Sequence, residues 1–208
     1  MASVTAFASA PLLRFGAVLL HPTATIADIA ANPPSGRAAF FGGALWLGLL
    51  PPLFAYVGTS LFGWRLGVAP LRLSPDAAAG IGLAYFALLL TGFVSTALVA
   101  RWMAVSYGAD SSMSRCVSLV TLVGAPLTVG SVAHLYPNAV LNVVVLVPTL
   151  IWSMYLLYRG LPAVMKTDQA RGFLMASALI AYLLVAWVSL LGVTAVLWSL
   201  GLGPRIAA

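Results

Sequence analysis

Charge is what this chain has least of. Asp, Glu, Lys and Arg make up 7% of its 208 residues and hydrophobic residues 62%, whereas a soluble domain is about a quarter charged. With a mean hydropathy of +1.06, that deficit excludes a soluble globular domain and leaves a polytopic membrane protein. Cysteine is nearly missing too. The single Cys116 excludes an internal disulfide and a cysteine-rich metal site, and reads as a small apolar residue in a helix. The two histidines, His21 and His134, fall in different segments; each reads as an interfacial polar residue, so no metal site is expected. There is no nucleophile elbow, no HExxH and no phosphate-binding glycine loop. No Asp, Glu, Lys or Arg stands at the centre of an apolar run, where proton-coupled pumps place such groups. No catalytic residue and no cofactor is expected, and the chain reads as a non-enzyme.

What charge there is carries information. The net charge of +6 does not mark a nucleic-acid binder, because the ten Lys and Arg residues are dispersed at the ends of apolar runs and form no phosphate-binding face. Arg37 and Arg65 bracket a first uncharged run, 38–64, which holds Pro51-Pro52 and is expected to kink. A second span, 77–100, lies between Asp76 and Arg101, with Trp102 and Tyr107 as interfacial anchors. The 43 residues between Arg115 and Arg159 hold no charge. That is twice the roughly 20 needed to cross a bilayer, so they divide into spans 116–134 and 138–158 at the turn residues His134 to Asn138. A fifth span covers 172–202, leaving a tail at 203–208. The expected fold is all-α, a membrane bundle of five transmembrane helices.

Residues 1–37 form a separate N-terminal segment. Its first twenty residues lack the basic start of a secretion signal and carry Arg14 within the apolar stretch, so they read as retained. Thr23 or Thr25 is expected to cap a short helix that stops before Pro33-Pro34. Residues 4–31 are expected to lie along the membrane interface as one or two short helices. Orientation follows from counting Lys and Arg. Seven fall on the side of the N-terminus, the second loop and the fourth loop, against three on the other side. The N-terminus is therefore expected in the cytoplasm and the C-terminus outside.

Two stretches stand out for function. In the third span Thr121, Gly124, Thr128 and Ser131 recur on one helix face, with Pro126 beside it. One reading is a close helix–helix contact. The other is the wall of a polar path for a small solute or ion, completed by Thr91 and Ser95 of the second span and Asn142 of the fourth. The second stretch is the basic fourth loop. There Gly160 and Pro162 are expected to break the helix entering from Tyr158 and to present Arg159, Lys166 and Arg171. It reads either as a topology signal touching anionic lipid or as a cytoplasmic docking surface for an unidentified protein.

The chain resembles the Yip1 family of five-span membrane proteins, in particular its bacterial branch. Four stretches carry the resemblance: LLHPTATIADIAANPPS (19–35), GADSSMSRC (108–116), VTLVGAPLTVGSVAHLYP (120–137) and YLLYRGLPAVMKT (155–167). Val164 stands where the family usually has Leu, and Asp110 where a basic or small residue is common. The resemblance implies a multi-pass protein of the bacterial inner membrane. It would act by oligomerisation, partner binding or membrane organisation, with membrane lipid and a second copy of itself among its partners. The small GTPases bound by eukaryotic relatives do not carry over.

Overall fold

The computed structural model describes residues 17–63 and 74–200. Arg14 and the first part (4–16) of the expected interfacial segment, Arg65, Arg72 and the tail at 203–208 lie outside the described residues.

A helical turn at residues 17–20 leads into α1 (Pro22–Ala31), a ten-residue helix too short to cross. Neither Thr23 nor Thr25 caps it, contrary to expectation. Pro22 sets the first turn and His21 is the cap residue, so Thr25 falls inside the helix, where its hydroxyl donates to the His21 carbonyl (3.0 Å). The helix ends at Ala31, ahead of Pro33-Pro34, as the ban on αR before proline requires.

Among the described residues five helices are long and apolar enough to span a bilayer. The first, α2, runs from Gly36 to Phe62. It continues through Pro51 and Pro52, both buried, and its irregular turn lies earlier, a π-helical stretch at Phe40–Ala44. The others are α3 (Pro75–Ser106), α4 (Met113–Gly130, extended by a 3₁₀ turn at Ser131–Leu135), α5 (Ala139–Val164) and α6 (Gln169–Ser199). Side-chain caps start four of the five: Ser35 accepts from Ala38 N–H, Ser74 from Ala77 N–H, Asn138 from Leu141 N–H and Asp168 from Arg171 N–H.

The helices outrun the apolar runs that announced them. α3 carries Arg101 and Trp102 within its last turns, and α5 continues through Gly160 and Pro162 to Val164. The expected break at Gly160–Pro162 does not occur. Gly160 lets Leu122 of α4 approach; a Cβ there would lie 3.0 Å from Leu122 Cδ2. The Pro162 ring fits over Gly172 of α6, where a Cβ would lie 2.6 Å from Pro162 Cγ. Both residues serve helix contacts, and these outweigh the lost N–H. The helix ends instead at Val164, and two residues on Lys166 takes the left-handed region (φ 51°), with the Thr167 N–H donating to the Pro162 carbonyl (3.1 Å).

α4 is the hub. In its most apolar window 56% of the residues are buried, against 6% in α6; α2, α3 and α5 pack around α4, while α6 leans on α5 and α3. The core lies toward one end of the bundle. It is built from Leu47 of α2, Ala97 and Ala100 of α3, Leu119 and Leu122 of α4, Leu156 and Leu161 of α5, and Met175 and Leu179 of α6. Beyond Ile180, α6 is largely exposed along its outer half, with Leu184, Trp187, Val188 and Leu191 free to face lipid.

Candidate functional site

The end of the bundle beside this core is where the polar chemistry collects. Arg115, in the first turn of α4, is 5% exposed. Its Nη1 donates to the Val164 carbonyl (2.7 Å) and to the Ala30 carbonyl (3.1 Å), and its Nε meets Asp110 Oδ2 (3.0 Å). One guanidinium thus joins the C-terminal ends of α1 and α5, where cations are favoured, to the α3–α4 loop. Further bonds lock the same junction. Asp110 N–H donates to Met165 O (2.6 Å), Thr167 Oγ1 to Tyr107 O (3.1 Å) and Ser114 Oγ to Pro34 O. Gly108, at φ +62°, has Arg171 Nη1 where a Cβ would stand. The guanidinium can swing aside, so it is the left-handed turn that calls for glycine here.

The Ser112 N–H bond holds the Asp110 carboxyl below its ordinary value of 3.8, with the Ser112 hydroxyl and the Arg115 and Lys166 charges adding to it against the opposing effect of burial. A depressed folded value means that this interaction stabilises the fold above about pH 4 and is lost as the pH falls through it. Asp110→Asn is therefore expected to flatten the acid limb of a stability-against-pH curve. An acid limb as steep as the wild type's would remove Asp110 from this account.

Of the expected docking residues, Arg159 and Lys166 are exposed, while Gly160 is buried. Arg171 is exposed and paired with Asp168 (3.2 Å). The loop between α5 and α6 is short, so this surface is mostly helix end.

The α4 face is placed as follows. Thr121 sits against Gly43 of α2 and donates to its own Val117 carbonyl (2.8 Å). Gly124 is buried beneath the Phe93 ring and the Leu47 side chain, at 2.7 and 3.2 Å from where a Cβ would stand. Its neighbours are side chains, not helix backbone. Pro126 is fully buried; Thr128 donates to Gly124 O (3.3 Å) and approaches Leu47 O (3.5 Å), and Ser131 donates to Thr128 O (2.6 Å). Thr91 is exposed and Ser95 bonds its own Gly92 carbonyl (3.0 Å), so neither joins this face. The hydroxyl that α3 buries is Thr96. Asn142 lies near the start of α5 in a different group. Its Nδ2 donates to Asn138 O (3.0 Å), and its side chain interacts with His134, which stacks on Tyr85 at 6.5 Å. Neither Asn142 Oδ1 nor His134 Nδ1 completes a hydrogen bond.

Arg115 went unrecognised in the sequence except as a topology charge. Its one local signal is a cation in the first turn of a helix, where acids are preferred. Among the described residues no group of three His, Cys, Asp or Glu gathers as a metal site would.

Comparison with known proteins brings in two results. The model of the Yip1 domain matches residues 16–202. Inner membrane protein YohC of Escherichia coli K12 is 28% identical over 158 residues, 76% of this chain and 81% of that protein, and the protein of the same name from strain O6:H1 matches to the same extent. No solved structure matches.

Proposed function

The chain belongs to the Yip1 domain family, and on that premise we propose that it is a non-enzymatic scaffold of the bacterial inner membrane. It works by holding partners, lipids or copies of itself, and passes no solute through the bundle. What supports this is the state of the α4 face: Gly124 is buried against α2 and α3, Thr128 against α2, Ser131 is buried as well, and both hydroxyls reach carbonyls of α4 itself. A packed face of this kind is how membrane helices approach closely. All six Lys and Arg among the described residues lie at or near the Arg115 end, which supports placing that end and the N-terminus in the cytoplasm and the C-terminus outside. Reporter fusions after Met165 and at Ala208 are expected to report opposite sides; the same side would sink the arrangement.

The scaffold reading makes an energetic prediction. Gly124→Leu drives a side chain into Phe93 and Leu47, and overpacking of this kind costs about 1–3 kcal/mol. Thr128→Val keeps the volume and removes a hydroxyl, at an average cost of about 0.6 kcal/mol. Thermal unfolding in detergent reads both. A conduit would reverse the pattern, with Gly124→Leu as stable as wild type and Thr128→Val altering solute flux into proteoliposomes.

A further inference from the structure

Two cavities lie along one stripe of α3. The deeper, of about 260 Å³, is an apolar slot between α2, α3 and α4 lined by Phe40, Phe93, Val94, Ala97, Val117 and Val120 among others. The second, of about 490 Å³, is an open recess at the end of α3 around Arg101, Trp102, Ser106 and Ser111. Val94, Leu98, Arg101 and Val105 recur at i, i+4, i+7 and i+11, so one helix face joins slot to recess. Seven residues separate Val94 from Arg101, which puts Val94 about 10 Å deeper along the helix, while Gly36 and Met113 at the starts of α2 and α4 carry the slot up to the same end as Arg101.

Arg101 is exposed and has no acidic partner among the described residues. The chain has four acidic residues, all aspartates. Asp110 is paired with Arg115, Asp168 with Arg171, Asp76 begins the far end of α3, and Asp28 makes no ion pair among the described residues. Beside Arg101 the Trp102 ring is 75% exposed, the position of an indole anchored among headgroups. The slot's wall on α2 is the π-helical stretch, whose Phe40 and Ala44 line it. A cation at the helix end, an aromatic anchor next to it and an apolar slot beneath are arranged in the order of an anionic phospholipid: phosphate, glycerol, acyl chain.

We propose that the Arg101 recess and the α2–α3–α4 slot together form a binding site for one anionic phospholipid, its phosphate on Arg101 and an acyl chain in the slot. The site stands whether the bundle is a scaffold or a conduit, since neither slot nor recess is lined by Gly124, Thr128 or Ser131. The test is native mass spectrometry of the full chain from mixed micelles holding equimolar phosphatidylglycerol and phosphatidylcholine. The wild type is expected to retain phosphatidylglycerol preferentially. Arg101→Gln should lower that preference about fivefold, the effect of one cation near anionic lipid, and Arg101→Lys should keep most of it. Val94→Trp, at a partly exposed position that fills the slot without entering the core, should reduce retention of both lipids alike. An unchanged preference in Arg101→Gln, or wild-type retention of both lipids in Val94→Trp, would overturn the proposal. So would displacement of the lipid by glycerol phosphate alone, which would make the recess a free-phosphate site.

Discussion

Arg115→Leu is expected to cost about 1–3 kcal/mol for each buried carbonyl it leaves without a donor. Leucine would fill part of the space but leave the carbonyls of Val164 and Ala30 without their donor, and Asp110, half-exposed, with only its Ser112 bonds. It would also uncouple α1 from the end of α5. Arg115→Lys is expected to recover part of the loss, because an ammonium keeps the charge but does not reproduce the planar fork that serves three acceptors. Thermal unfolding in detergent reads the stability. Protease cleavage between Ala31 and Gly36 reads the release of α1 separately. An Arg115→Leu variant with wild-type stability and an uncleaved N-terminus would show that the junction is held by its other bonds.

Gly58→Ala is expected to cost about 3 kcal/mol, at the upper end of what overpacking usually does. A methyl group at Gly58 would be driven into the backbone carbonyls of His134 and Leu135, where the 3₁₀ turn crosses α2. Backbone atoms do not swing aside as a side chain does, so α2 and the turn must separate. Gly92→Ala is the control, since that glycine has open space around it and lies within a helix. Alanine there should be neutral or stabilising by about 0.5–1 kcal/mol. Equal unfolding temperatures for the two variants would mean that the close crossing contributes nothing.

Much of the architecture is legible in the sequence because hydropathy reports directly on the bilayer. Runs between Arg37, Asp76, Arg101, Arg115 and Arg159 mark where helices cross, and the turn from His134 to Asn138 divides a long run as its residues suggest. Helix ends are less legible. A charge such as Arg101 marks the membrane surface but does not stop backbone hydrogen bonding, so α3 continues five residues past it. Pro162 illustrates the opposite error. Its local tendency to end a helix is overridden by Gly172, ten residues away in another helix, which makes room for its ring. The repeat Thr121, Gly124, Thr128 and Ser131 is visible from period alone, but which partners it meets is not. Thr91 fits the polar pattern equally well and faces outward. Arg115 is the hardest case, because its acceptors lie 49 and 85 positions away and no local pattern places them beside it.

The uneven attachment of α6 has a consequence for membranes of different thickness. Its 31 residues make a rod of about 46 Å, longer than the roughly 30 Å of a hydrocarbon core, so it must lean. Only the part near Gly172 to Leu179 is clasped by neighbours, which leaves the remainder to take whatever tilt the bilayer imposes. Thinning or thickening is then absorbed as a swing of this one arm, while the interlocked loops around Arg115 stay where they are.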